Sequence, residues 1–327
     1  MVDLHVETFV WTRIFGYDLT KAHGPGPLRA RYLGQADLPR LRAAGLAGVV
    51  LSIATNPLRR AGTRTATLLA NLGRLRTAVA GDGGGPTAAL IADAAGYLRA
   101  RAEGRLGLFL AVQGGIAFDS PEDVRLVPDG TLLRVTLMHL TDSALGATSW
   151  PLSLTRGRGG LTAAGRAMVE ALNERRILVD LAHAYRRTFR EALDAHDRAL
   201  PPVVTHTGVC GVQPSWRNLD DDQIRAIAER GGVAGIMYHR NFLGRPARRV
   251  GAEAIVRHLE HTIAVGGEEV AALGSDWDGM IVTPRDMPTA LELPVLVDRM
   301  LARGWTGDRV RRVLGGNALR LIGTIRP

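Results

Sequence analysis

The chain has 327 residues, 46% of them hydrophobic, which is ample for a large core and fits a single domain over residues 1–327. Its one cysteine, Cys210, excludes an internal disulfide framework, and the absence of a basic start leading into an apolar stretch, or of any apolar run long enough for a bilayer, leads us to expect a cytoplasmic protein with no signal peptide and no membrane span. The net charge of +9 invites a nucleic-acid reading, but Lys21 is the only lysine, the arginines are scattered and aromatic residues are 5% of the chain, so no nucleic-acid partner is expected.

Short runs rich in Val, Leu and Ile alternate with longer amphipathic stretches. The runs are "VDLHVET" (2–8), "AGVVLSIA" (47–54), "LGLFLAVQG" (106–114), "LLRVTLMHL" (132–140), "RILVDLAHA" (176–184), "PPVVTHTG" (201–208), "GVAGIMYH" (232–239) and "VAALGSDWDG" (270–279). Near-continuous apolar strands separated by helices predict a parallel sheet covered on both faces. Eight of them most simply make a (β/α)8 TIM barrel, with an open doubly wound sheet as the other arrangement. The arginine groups "PLRR" (57–60) and "RVRR" (309–312) are expected within helices, and "GDGGGPT" (81–87) reads as a loop dividing a helical region. Further helices are predicted over 161–176 with Thr162 as N-cap, over 219–232 with an acidic start and a Gly pair at its end, and over 293–304 and 306–322.

Six of the eight runs carry a metal-capable or acid–base side chain at or near the C-terminal end: His5 with Glu7, Gln113, His139, His183, His206, and Asp276 with Asp278. That end of a barrel is where chemistry sits, because the strand ends and following loops converge there. His5 and Glu7 are two apart in a strand and so project together; they are either half of a metal site or polar residues of a terminus. His183 and His206 read as ligands for a borderline metal such as zinc, or singly as satisfied barrel histidines. Asp276 is a candidate acid for a leaving group, or a turn residue between Gly274 and Gly279. Of the other histidines, His23, His196, His258 and His261 fall in loops or helices, and His239 ends a strand where its ring can simply pack.

The order of segments resembles the renal or membrane dipeptidase family, peptidase family M19 of the amidohydrolase superfamily. The resemblance rests on "DLHVET", "AVQGG", "RVTLMHLTDS", "GLTAAGRAMVEALNERRILVDLAH", "PPVVTHTGV", "WRNLDDDQIRAIAERGGVAGI", "GSDWDG" and "VRRVLGGNALRLI", which run in the family's order from residue 3 to residue 322. It implies a barrel of the metallo-dependent hydrolase type that uses zinc, one or two ions, to cleave dipeptides, often tolerating a D-residue on the C-terminal side, and commonly dimeric. By position it implies that His5 and Glu7 hold one metal, Gln113 bridges, and His183 and His206 hold the second. It further implies that His139 polarises the scissile carbonyl, Arg217 binds the substrate carboxylate and Asp276 shuttles the proton to the departing amine.

Two positions depart from the family pattern. Its opening is His-x-Asp where this chain has His5-Val6-Glu7, one methylene longer, and its bridging glutamate is Gln113 here. An amide offers one neutral oxygen and an NH2 that cannot face a cation, whereas two dications side by side need anionic bridging. The expected function is therefore a metal-dependent dipeptidase-like hydrolase, acting on a dipeptide or related small amide through a metal-activated water. It would work with one metal at His183 and His206, or with two bridged by another anion. The alternative is a divergent member with a lost or altered centre that binds a peptide-like ligand or catalyses different chemistry.

Overall fold

Parallel strands covered by helices bury both faces, and the apolar runs do so within nine strands of the computed structural model, which describes residues 1–24, 26, 28–54, 56, 58–80, 87–151 and 159–327. They are β1 (Val2–Val6), β2 (Gly48–Ala54), β3 (Ala88–Leu90), β4 (Leu106–Gln113), β5 (Leu132–Thr136), β6 (Leu178–Asp180), β7 (Val203–Thr207), β8 (Val233–Ile236) and β9 (Ala271–Leu273). Hydrogen-bonded neighbours run β1-β2-β4-β5-β6-β7-β8-β9, all parallel. The circle closes where β1 meets the segment after β9: the Glu7 N–H donates to the Trp277 carbonyl at 2.9 Å and the Asp276 N–H to the His5 carbonyl at 3.0 Å. This is the predicted (β/α)8 barrel, and each of the eight apolar runs supplies one stave.

The additional strand, β3, lies off this path. Its residues pair with the start of β4, Ala88 opposite Leu106 through Leu90 opposite Leu108, below the point where β5 joins at Leu110. Three residues are too few for a strand period to show in sequence. Pairing between β4 and β5 skips Leu133: Leu110 faces Leu132, and the next pair is Ala111 with Arg134. That bulge directs Arg134 and Thr136 into the interior, where the guanidinium meets Ser52 of β2.

Two helix expectations are corrected. Residues 58–60 form a turn, because the Asn56 side chain accepts the Leu58 N–H at 2.9 Å and Asp119 takes the N–H groups of Gly62, Arg64 and Thr65; the helix begins only at Arg64 (Arg64–Ala80). Pro57, and residues 81–86 of the predicted glycine loop, lie outside the described residues. The 306–322 stretch is two helices, Gly307–Arg311 and Asn317–Ile325, joined by a wide turn at Arg312–Gly316. The turn rests on β1: a Cβ at Gly315 would stand 3.1 Å from the Val2 nitrogen. The last helix then plugs the barrel floor, packing Ala318, Leu321, Ile322 and Ile325 against Val2, Leu4 and Val50, each Val, Leu or Ile among them contributing about 1.5–3 kcal/mol by leaving water.

The other predicted helices stand. Thr162 accepts the Gly165 N–H at 3.0 Å to cap Ala163–Glu174, Asp220 and Gln223 form a capping box on Asp221–Ala228, and Leu293–Ala302 follows. Among the described residues no helix is long and apolar enough to cross a membrane.

Candidate metal centre

The barrel gathers the polar side chains at the C-terminal mouth. His5, Gln113 and His206 stand inside β1, β4 and β7, whereas Glu7, His139, His183 and Asp276 sit just beyond β1, β5, β6 and β9. His183 and Asp276 both have φ of 64°, a left-handed conformation that non-glycine residues adopt rarely and mainly where surrounding structure enforces it. Gly274 allows the approach that seats Asp276, since a Cβ there would lie 1.6 Å from the Thr205 carbonyl oxygen.

On the β6–β7 side, the Nε2 atoms of His183 and His206 face each other at 2.9 Å. The Thr205 hydroxyl donates to Asp180 Oδ2 at 2.7 Å, so its oxygen accepts from His206 Nδ1 at 2.9 Å. That assigns the ring proton of His206 to Nδ1 and leaves its Nε2 lone pair aimed at the mouth, as a ligating imidazole requires. Burial lowers the pKa of His183 and of His206 well below the ordinary value, with Arg217 and neighbouring imidazoles adding to it, so both rings are neutral. His139 meets His183 edge-on at 5.0 Å between centroids; burial, then Arg217, holds its pKa down to about 3. Arg217 donates from Nη2 to the His206 carbonyl at 2.6 Å, and burial lowers its pKa to about 10 against the opposing pull of Asp276 and Asp180.

On the β1–β4–β5 side, His5 stacks on His206 at 3.8 Å between ring centroids. Its Nε2 lies 3.5 Å from Glu7 Oε1 and 3.4 Å from Asp276 Oδ1, and both His5 Nε2 and Glu7 Oε1 are buried without a hydrogen-bond partner. Burial raises Glu7 to about 7, opposed by Arg134 and assisted by Asp278. It also raises Asp276 well above the usual carboxylate range, with the charge of Glu7 adding to the shift. Gln113 accepts from the Thr136 hydroxyl at 3.4 Å. Asp278 serves the architecture instead: its oxygens take the Thr8 hydroxyl and the backbone N–H groups of Gln35 and Ala36.

Sequence reasoning missed Arg134 and Asp180, the charged pair at the centre of the barrel. They stand 3.2 Å apart and are both buried. Arg134 Nη2 also contacts His5 Nδ1 and the Ser52 hydroxyl, and Nη1 donates to Thr136. The signal was present as a charge inside each of two apolar strand runs, "LLRVTL" and "ILVDLAH". Also unanticipated is an aromatic wall: Trp150, Trp216 and Phe242 meet edge to face, and His239 packs on Phe242 as its structural reading allowed. Beside this wall a cavity of about 490 Å³ is bordered by His183, Tyr185, Trp216 and Arg217.

The ligand-capable atoms of His5, His206 and Asp276 lie within 4.8 Å of one another, and His183 joins them through His206. A model of the membrane dipeptidase family (Peptidase family M19) matches residues 1–326. The chain belongs to that family. Among solved structures, this M19 chain is similar to the dipeptidase AC, a metallo peptidase of family M19, at 26% identity and a TM-score of 0.84 over 98% of this chain and 97% of that one. It is also similar to a metallo peptidase from Rhodobacter sphaeroides liganded with a phosphinate mimic of the dipeptide L-Ala-D-Ala, at 25% identity and a TM-score of 0.85 over 99% and 98% of the two chains. An uncharacterized protein in the pqqA 5′ region of Klebsiella pneumoniae is 35% identical over 166 residues, a match that spans 50% of this chain and 60% of that relative.

Proposed function

We propose that this M19 chain hydrolyses a dipeptide or a closely related small amide in a metal-dependent reaction, with zinc as the metal. The observation that carries the reading is the convergence of two neutral imidazoles, His183 and His206, on one point at the mouth, with the Asp276 carboxyl within 4.8 Å of His206 and the Arg217 guanidinium bordering the cavity. Neutral nitrogen donors with a carboxylate suit zinc, and the hydrogen-bonded Nδ1 of His206 is the support such a ligand needs. His183 and His206 would hold a dication there, and it would lower the pKa of a water enough to provide a nucleophile for an amide carbonyl near neutral pH.

The remaining work falls to this chain's own groups. Asp276, whose burial raises its pKa and so makes its ionised carboxylate a stronger base, takes the proton released by the attacking water in that ionised form and, now protonated, passes it to the departing amine. His139, kept neutral, donates an N–H to the carbonyl oxygen as negative charge develops on it. Arg217 pairs its planar fork with the terminal carboxylate of the substrate. His5, Glu7 and Gln113 line the opposite side of the mouth. The test is a panel of dipeptides, with D-residues at the C-terminal position included, offered to zinc-loaded protein with and without chelator. Chelator-sensitive release of free amino acids is expected. Peptide binding by the zinc-loaded protein without any cleavage would instead identify a peptide-binding barrel, the alternative that Gln113 leaves open.

A further inference from the structure

The side of the mouth formed by His5, Glu7 and Gln113 differs from the His183–His206 side in what holds its histidine. The ring nitrogen of His5 that faces the interior, Nδ1, meets two groups: Arg134 Nη2 and the Ser52 hydroxyl. A guanidinium carries only donors, so Nδ1 has to accept. Ser52 Oγ itself accepts from Arg134 Nη2, which leaves its own hydrogen to point at the same Nδ1, 3.3 Å away. Both neighbours spend the Nδ1 lone pair. In a neutral imidazole the proton must then sit on Nε2, the atom that faces Glu7 and Asp276. A nitrogen that carries a proton has no lone pair for a metal. His206, stacked on the same ring, has the reverse arrangement through Thr205 and Asp180.

Arg134 cannot readily turn away. Its guanidinium is held by Asp180 at 3.2 Å and by the Thr136 hydroxyl at 2.5 Å, both buried, and the β5 bulge sets its direction. Its charge also lies within the field that Glu7 and Asp276 feel, where it performs the neutralising task of a second cation. Gln113, lacking a negative charge, offers nothing to bridge two dications across that guanidinium.

We propose that the centre holds one metal ion, seated on His183 and His206 with Asp276 facing it, and that Arg134 closes the second seat by locking His5 in the tautomer whose Nε2 carries the proton. The inference rests on the metal-dependent reading given above. His5 then turns an Nε2–H towards the Glu7 and Asp276 carboxyl groups, 3.5 and 3.4 Å away, and Arg134 is a positioning residue that acts through it.

The test is zinc stoichiometry by elemental analysis, on full-length protein loaded with zinc chloride and freed of excess. One zinc per chain is expected. Two per chain overturns the inference while leaving the hydrolase reading in place, and none overturns both. The Arg134→Leu/Gln113→Glu double variant is expected to take up a second zinc; a folded double variant that still binds one removes Arg134 from the explanation. Because that variant leaves Asp180 without its partner and can fail to fold, nitrogen-15 histidine spectra of the unmodified zinc-loaded protein supply the second measurement. His5 is expected to show a protonated Nε2 and an unprotonated Nδ1. A zinc-bound or Nδ1-protonated His5 overturns the assignment.

Discussion

Two stacked imidazoles, His5 and His206, show how similar side chains on the two sides of one barrel mouth are set to opposite tasks. Each reaches the mouth from the end of a strand, and each is kept neutral chiefly by burial. His206 rests on a hydroxyl that accepts from it, backed by Asp180; His5 rests on a guanidinium that donates to it, backed by the same Asp180. One carboxylate therefore sets the proton of both rings, through Thr205 on one side and Arg134 on the other. The lesson concerns what lies beneath a site: the atoms facing the mouth are alike, and their partners one layer down decide which can ligate.

The sharpest break in this contrast comes from the reacting side. Asp276→Asn keeps the shape of the carboxyl and removes its proton traffic, so kcat on a cleaved dipeptide is expected to fall about 10²–10⁴-fold with zinc content retained. A variant of unchanged rate would remove Asp276 from the proton path.

On the opposite side the largest effect is on folding. Arg134→Leu strands Asp180 inside the barrel, and denaturant unfolding of the metal-free protein should show a loss of about 3–5 kcal/mol. A loss below about 1 kcal/mol would mean that solvent reaches the pair.

A pH series sharpens the comparison further. Burial raises Glu7 from 4.5 to about 7, so the folded metal-free chain binds a proton there that the unfolded chain has released, and its stability falls as pH rises through that window. Glu7→Gln cannot ionise. Relative to the parent it should gain stability between pH 4.5 and 7, by at most about 3 kcal/mol, the linkage equivalent of that displacement. A difference in unfolding free energy that stays flat over this range would show that Glu7 titrates normally.

The smallest effect tests the layer beneath the ligands. Thr205→Val removes the acceptor that fixes the His206 proton, and zinc affinity should drop about 10–100-fold by competition titration. Ser52→Ala, beneath His5, should leave zinc affinity where it was. Equal losses from the two substitutions would erase the asymmetry.

Much of this molecule is legible in its sequence. The eight apolar runs, the order of helices between them, the Thr162 cap and the placement of histidines at strand ends all follow from local periodicity and short-range chemistry, which act within a few residues of chain. For the same reason β3 and the break at Gly315 escape notice: one is too short to carry a period, and the other depends on Val2, far away in sequence. Gln113 departs from the family pattern by its identity alone. Arg134 announces itself only as an oddity, a charge within a strand.

What sequence by itself determined is therefore the barrel, its family and the set of groups at its mouth. Tertiary structure alone decided how those groups pair, because the bonds that set each histidine's proton join β1 to β2 and β5, and β7 to β6. A bulge in β5 aims Arg134 at His5, residues 129 positions apart, and no local pattern encodes which hydrogen a ring nitrogen will meet across that span. Ligand identity is written in residue type; ligand competence is written in the donors and acceptors that folding brings beneath it.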